Sequence, residues 1–257
     1  MIDTFKHRMH AKSAALLLSL ENRLDRILLA WLGLAGLASA IRIAFSPIHG
    51  NVPDFPTYAP YILLVFAPAV SLVLALRWFA NGEQSLQPQT RLARLGAWRS
   101  VPRHEARNHE LYGTTGIMVS LLVGMLINVP VRAAEYLAAM PALSGPVPSW
   151  LATLHTLMTA DVVLISSLYV IAFVAALRKV ALFPRMLVAI WMVDLAWQLL
   201  TAKLVAGAAG LPPTVATALH TLLDGNVKKV LISVALWLPY LLLSQRVNVT
   251  FRHRVPV

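Results

Sequence analysis

Six long apolar stretches constrain the fold of this chain more than any other feature of its sequence. A helix needs about 20 residues to cross the roughly 30 Å hydrocarbon core of a bilayer, and each stretch is long enough to serve as such a span. None shows the alternation of polar and apolar residues found in barrel strands, so a β-barrel is not expected. The stretches cover residues 27–45, 58–79, 113–131, 155–177, 184–207 and 230–244. We therefore predict an all-α, polytopic integral membrane protein with six transmembrane helices.

The composition excludes the main soluble classes. Hydrophobic residues make up 58% of the chain and charged residues 13%, whereas soluble proteins average about 45–50% and about 25%. The mean hydropathy is +0.68. These values exclude a disordered chain, a coiled coil and an ordinary soluble enzyme. The chain contains no cysteine, which excludes a thiolate nucleophile, a disulfide and a cysteine-ligated metal centre.

The basic residues predict how the helices are oriented. The chain has 22 Lys and Arg residues against 11 Asp and Glu, a net charge of +11. If six crossings alternate, all Lys and Arg residues fall on the side of the N-terminus except Arg42, Arg132, Lys203, Lys228 and Lys229. Positively charged loops stay in the cytoplasm, so we predict that both termini are cytoplasmic in an inner (plasma) membrane. The excess positive charge also predicts contact with anionic lipid headgroups.

The breaks between the apolar stretches divide the chain into five segments. In the N-terminal segment, residues 5–20 form either an interfacial helix or an irregular tail, and both alternatives stay open. We expect the first span to remain uncleaved, although Ala38-Ser39-Ala40 resembles a signal-peptidase site, because the apolar stretch continues beyond it. The sequences of residues 148–157 and 213–222 are similar. This similarity arises either from a duplication in which both copies enter the membrane from the same side, or from chance. The segments are an N-terminal cytoplasmic segment (1–26), two transmembrane helices (27–80), a basic connection (81–112), a four-helix bundle (113–245) and a basic cytoplasmic tail (246–257).

Charged residues inside the apolar stretches are the main indication of a functional site. Each costs at least roughly 2.5–3.5 kcal/mol at mid-bilayer on insertion scales, and Asp194 lies near the middle of the fifth stretch. One hypothesis is a polar pocket that binds a polar or anionic headgroup or relays protons. The other is structural: Arg132 and Glu135 form a local ion pair, Lys203 reaches outward, and the two Asp residues make interhelical hydrogen bonds. The candidate site comprises Asp161, Asp194, Lys203, Arg132, Glu135, His155 and His220.

We predict no catalytic residue, no metal site and no cofactor. His155 and His220 could ligate a haem or a metal from two helices, but both lie near the interface and the spans contain no further His. The pair His104 and His109 has a spacing of five residues, whereas a zincin helix needs a spacing of four. A retinal Schiff base on Lys203 is disfavoured because six crossings are predicted rather than seven.

The closing segment resembles a known family. Residues 230–251 end in Pro239-Tyr240, then Ser244, Arg246-Val247 and Thr250-Phe251, and this pattern resembles the ending of a bacterial inner-membrane family called domain of unknown function 2569. Weaker similarities are Arg178-Lys179, Phe183-Pro184-Arg185 and Asp224-Gly225. The resemblance implies a four-helix bundle of unestablished activity, which here follows two extra helices and lacks the family's usual Gly-Gly-Trp-Leu opening. From the residues themselves, we predict that Tyr240, Arg246 and Arg252 are interfacial anchors.

These features predict a non-enzymatic accessory or assembly component whose partners are membrane lipids and other membrane proteins. The alternative is a small transporter or lipid-binding protein that uses its intramembrane acidic residues, and a weaker one is an enzyme acting on a lipid. Nucleic acid is not an expected partner, because Trp98 is the single aromatic residue of the Arg-rich segment 91–107.

The predicted orientation can be tested with reporter fusions. A fluorescent protein that folds only in the cytoplasm should be active when it is fused to either terminus, because six crossings return the chain to its starting side. An enzyme reporter that is active only outside the cytoplasm should be active when it is inserted near residue 145. Activity of that second reporter at either terminus would contradict the orientation.

Overall fold

The computed structural model of the protein describes residues 2–46, 55–89 and 96–257, and side chains from residue 11 onward. In this part of the chain nearly all regular structure is helical. Besides a short 3-10 helix at Gly82–Gln84, there are two three-residue strands, β1 (Trp98–Ser100) and β2 (Arg254–Pro256). The α-helices are α1 (Ile2–Asn22), α2 (Leu24–Ala44), α3 (Phe55–Trp78), α4 (Arg103–Arg107), α5 (Met118–Ala139), α6 (Ser149–Leu177), α7 (Phe183–Ala206), α8 (Pro213–Leu243) and α9 (Gln245–Arg252).

Six of these helices are long and apolar enough to cross a membrane, namely α2, α3, α5, α6, α7 and α8. The prediction of an all-α fold with six spans is confirmed. The helix bounds differ from the predicted ones because hydropathy identifies the apolar part of a helix and not its backbone ends. The predicted span 230–244 is the C-terminal half of α8, which begins after Pro212. Its N-terminal half contains an ion pair one turn apart, between Lys228 and Asp224 at 2.6 Å.

Helix α6 is the centre of the bundle. It packs against α3, α5 and α7, and 67% of its most apolar stretch is buried. Small side chains at Ala172, Ala175 and Ala176 are fully buried, so neighbouring helices approach closely there. By contrast, only 11% of the corresponding stretches of α2 and α8 is buried, and these helices lie at the two edges of the bundle.

One end of the bundle carries a folded polar layer made of α1, the connection after α3, the turn between α6 and α7, and the C-terminal segment. Strands β1 and β2 pair in an antiparallel manner, with Arg99 opposite Val255. Phe251 is fully buried, and its ring centroid lies 5.1 Å from that of Phe183. Many of the basic residues that were predicted to share one side of the membrane lie in this layer, which we call the basic end.

The C-terminal segment is packed onto the protein and is not a loose tail. Arg252 is only 7% exposed, and it donates hydrogen bonds to the Leu241 carbonyl (2.9 Å) and to Asn248 Oδ1 (3.0 Å). Burial, followed by the charges of Arg254 and Arg185, lowers the pKa of Arg252 to about 10. We predicted that Arg252 anchors the chain to lipid headgroups. Its guanidinium instead donates to carbonyl and amide acceptors inside the protein, and these hydrogen bonds hold the end of α8 against α9.

The opposite end of the bundle is closed by hydrogen bonds to the segment that follows α5. Arg42 Nε donates to the Met140 carbonyl at 3.0 Å, and Thr57 Oγ1 donates to the Leu143 carbonyl at 2.8 Å. The hydroxyl oxygen of Ser46 accepts a hydrogen bond from the Ala142 amide at 2.9 Å. These contacts fix the ends of α2 and α3 against the bundle of α5 to α8.

Candidate functional site

The charged residues predicted inside the membrane form a buried cluster centred on Arg132 of α5. Its guanidinium donates to Asp161 Oδ2 of α6 at 2.8 Å and also to Asp194 Oδ2 of α7. Asp194 is fully buried, and Asp161 and Arg132 are 7% and 8% exposed. One Arg side chain therefore joins three helices through two salt bridges.

The depth of the cluster explains why these charges are paired. Asp194 lies close to the midpoint of α7, about 17 Å from either helix end at the usual rise of 1.5 Å per residue. A side chain at that depth lies far from the headgroups and from bulk water. An ionised group there must find its counter-charge within the protein, and Arg132 supplies it to both carboxylates.

Amide side chains extend the cluster to the fourth helix. Gln198 Nε2 donates to Asp161 Oδ1 at 3.0 Å and to Asp194 Oδ1 at 3.3 Å, while Gln198 Oε1 accepts from Asn226 Nδ2 of α8 at 3.5 Å. On the other side, Arg132 Nε donates to Asn128 Oδ1 at 3.1 Å. These three amides were not among the site residues predicted from the sequence. Gln198 and Asn128 were detectable, because each lies one helical turn from a charged residue.

A second ion pair lies at the rim of the cluster. Glu135 of α5 forms a salt bridge with Lys229 of α8, and Lys229 Nζ also lies 3.4 Å from Asn226 Oδ1. The local Arg132–Glu135 ion pair considered above is therefore not formed. Arg132 faces the buried interior and Glu135 faces α8, so each residue bridges to another helix.

The cluster has more acid than base and borders a small cleft. Its core holds two carboxylates and one guanidinium, and the rim pair adds one charge of each sign. A cleft of about 40 Å³ between α5 and α8 is lined by polar side chains, among them Arg132, Glu135, Tyr169 and Lys229. That volume has room for one or two water molecules. A water molecule in the cleft would therefore lie beside Arg132.

The other predicted site residues lie outside the cluster. The ring of His155 packs against Tyr136, whose hydroxyl lies 3.4 Å from His155 Nε2 and 2.8 Å from Thr159 Oγ1. Lys203 and His220 are exposed side chains, because hydropathy predicts depth in the membrane and not the direction in which a side chain points. Within the described ranges, no three His, Asp or Glu side chains are grouped as ligands for a metal ion.

The remaining predicted anchors sit at the basic end. Arg246 Nη1 donates to Thr115 Oγ1 at 2.8 Å, so this side chain contacts the segment before α5. Tyr240 packs edge-on against Trp237, with their ring centroids 5.9 Å apart. Arg246 therefore contributes to the packing of the polar layer, and Tyr240 lies in the last turn of α8.

A separate feature is an apolar groove between α2 and α3, at the end away from the polar layer. Its volume is about 700 Å³. Gly36, Ala40 and Ala44 line it at a spacing of four residues. Ser39 and Tyr61 also line it and are 4% and 2% exposed. Neither hydroxyl has a hydrogen-bond partner among the residues that the structure describes.

Comparison with known proteins gives one match. The model of a family described as protein of unknown function (DUF2569) matches residues 113–252. That region is more than half of the 257-residue chain and contains α5 to α9, including the whole Arg132 cluster. No curated protein and no solved structure matches the chain.

Replacing Arg132 tests how much the cluster stabilises the fold. Arg132→Gln leaves two buried carboxylates without a counter-ion, which we expect to cost about 3–5 kcal/mol of unfolding free energy. The apparent melting temperature of the protein in mild detergent should fall clearly. Lys203→Gln removes the same charge from an exposed position and should leave the melting temperature nearly unchanged. Equal melting temperatures for the two variants would show that the cluster is not a stabilising element.

Proposed function

The chain belongs to the DUF2569 family, whose function is unknown, and we propose that it is a non-enzymatic accessory or assembly component of a membrane. This membership confirms the resemblance that the closing motif indicated. The six long apolar helices make the chain an integral membrane protein. The observation that carries the proposed function is the apolar groove between α2 and α3, which is built to receive a transmembrane helix of a partner protein.

The groove has the chemistry of a helix-packing surface. Small residues spaced four apart let a second helix approach closely, and polar side chains then form hydrogen bonds across the contact. Gly36 and Ala40 supply the first property. The hydroxyls of Ser39 and Tyr61 lie buried at the wall of the groove without a partner among the described residues, and such a hydroxyl costs about 1–3 kcal/mol. A rotation of either side chain would bring its hydroxyl to a polar group of a partner helix, which lipid tails do not carry.

We also propose the cellular placement from the distribution of charge. The basic end would face the cytoplasm of a bacterium, with the helices in its inner membrane and both termini inside. Clustering of Lys and Arg at one end of the bundle supports this orientation. Membrane lipids and other membrane proteins are the proposed partners, and nucleic acid is not among them.

Photo-cross-linking in cells tests the proposed docking of a partner helix. A photoreactive residue in place of Ile62, which lines the groove and is 44% exposed, should give an adduct with another membrane protein. Adding Gly36→Leu should remove the adduct, because Gly36 lines the groove and a Cβ added there has open space around it, so the larger side chain can occupy the groove.

Gly33→Leu is the matched control. Gly33 lies one turn away on the same helix, and a Cβ atom added there also meets nothing within 4 Å, but Gly33 does not line the groove. The adduct should survive this change. An adduct whose mass is twice that of the chain would mean that a second copy fills the groove. That result, or cross-linking to lipid alone, would contradict the proposed function.

The alternative, a small transporter or lipid-binding protein that uses its intramembrane acids, is favoured by a different observation. The core of the cluster contains Asp161 and Asp194 for a single guanidinium, and a polar cleft reaches Arg132. A surplus carboxylate at mid-depth can hold and release a proton. The cleft would connect it to the space between α5 and α8.

Proton flux into proteoliposomes tests this alternative. Under a potassium diffusion potential, a trapped pH-sensitive dye should report flux with the unaltered protein, and Asp161→Asn combined with Asp194→Asn should abolish it. Asp224→Asn alters an exposed carboxylate and should leave the flux unchanged. If the double variant only lowers the melting temperature, or if empty vesicles show the same flux, the cluster has no role in proton transfer.

A further inference from the structure

The basic end contains a polar pocket that the proposed function does not use. Its volume is about 330 Å³, and it lies where the end of α1, the 3-10 helix, α4 and the turn after α6 meet. Sites for small ligands generally have volumes of about 300–1,000 Å³. The charged side chains that line this pocket are Glu21, Glu83, Arg103, Arg107, Arg178 and Lys179.

Cations outnumber acids in this pocket by four to two. Glu83 is already shared between Lys179, at 2.6 Å, and Arg107. Burial acts to raise the pKa of Glu83, but the hydrogen bond and charge of Lys179 and the charge of Arg107 outweigh it, so the pKa lies below its ordinary value. Glu83 is therefore ionised at neutral pH and fully engaged. Arg103 and Arg178 form no salt bridge within the described part of the chain.

Arg103 gives the clearest indication that a ligand is expected. Its Nε is buried and has no hydrogen-bond partner among the described residues. An N–H of a guanidinium that is shielded from water and left without an acceptor destabilises the structure around it. Arg103 lines the pocket, and an anion there would bind its guanidinium and offset the excess positive charge.

The walls of the pocket are held in place by the surrounding backbone. A Cβ atom at Gly82 would lie 2.6 Å from the Arg178 carbonyl oxygen, so the two segments meet in close contact that only glycine permits. Lys179 adopts a positive φ of 54°, and its Nζ lies 5.1 Å from the centroid of the Tyr112 ring. The Ala181 amide donates to Ser85 Oγ at 3.0 Å. The cations therefore surround a preformed space.

We propose that this pocket binds a phosphate group through Arg103 and Arg178. The planar guanidinium matches the spacing of phosphate oxygens and donates two parallel hydrogen bonds to them. Because the pocket lies where the helices leave the apolar layer, the phosphate is that of an anionic phospholipid headgroup or of a small soluble phosphate. Basic pockets at the cytoplasmic ends of transmembrane helices suit anionic headgroups.

Binding measurements on the full-length protein in detergent test this proposal. One arm adds phosphatidylglycerol and counts the bound lipids by native mass spectrometry. A second arm titrates inorganic phosphate and glycerol 3-phosphate by calorimetry. Arg103→Gln combined with Arg178→Gln should weaken binding of whichever ligand the unaltered protein binds. We expect a loss of about tenfold or more, because losing even one charge-assisted hydrogen bond has an effect of that size.

The matched control is Arg23→Gln combined with Arg26→Gln. It removes the same charge from exposed positions at the basic end that do not line the pocket, and binding should be retained. If the double pocket variant does not fold, Arg178→Gln alone replaces it, because Arg178 is exposed and tolerates the change.

Each outcome decides the proposal. Loss of phosphatidylglycerol in the pocket variant alone identifies a lipid headgroup, and loss of a soluble phosphate in that variant alone identifies a soluble ligand. Equal losses in the pocket and control variants would mean diffuse attraction by the basic end, and the proposal would be wrong. Absence of binding in both arms would overturn it as well.

Discussion

The arrangement of the last four spans depends on the two salt bridges of Arg132. A charge at mid-depth in a bilayer must be neutralised from within the protein. Arg132 therefore fixes the rotation of α5 towards α6 and α7, which carry Asp161 and Asp194. Gln198 joins both carboxylates and contacts Asn226, which brings α8 into the same network. With their inward faces fixed in this way, the four helices turn their remaining apolar surface to lipid. The cluster lies wholly within the part of the chain that matches the family.

The six spans were predictable because hydropathy alone limits which segments can lie in lipid. The same property carries no information on how each helix is rotated. Lys203 and Asp194 both lie in α7, but Lys203 points outward whereas Asp194 is fully buried. The contact between Arg132 and the two Asp residues depends on which helices are neighbours, and a single sequence does not encode this locally. The buried C-terminal segment was missed for a similar reason, because its basic residues looked like those of a solvated tail until their acceptors were seen.

The groove, the charge cluster and the phosphate pocket draw on different parts of the chain. The groove belongs to α2 and α3, which precede the region matched by the family, while the charge cluster lies within that region. The phosphate pocket combines both parts, since Arg103 and Glu83 precede the matched region and Arg178 lies inside it. Partner binding by the groove therefore uses no residue of the four-helix bundle, whereas the phosphate pocket needs residues from both the matched region and the segment before it.

The pairing of β1 with β2 has a consequence for biosynthesis. β1 follows α3, the second of the six long apolar helices, but β2 is translated only after α8, the sixth of them. While the ribosome delivers the intervening helices to the translocon, the edge of β1 has no strand to pair with. The polar layer therefore closes last, after all six long apolar helices have been synthesised. A chain that stalls before β2 cannot pair these strands, and the edge of β1 then stays open to pairing with other extended segments.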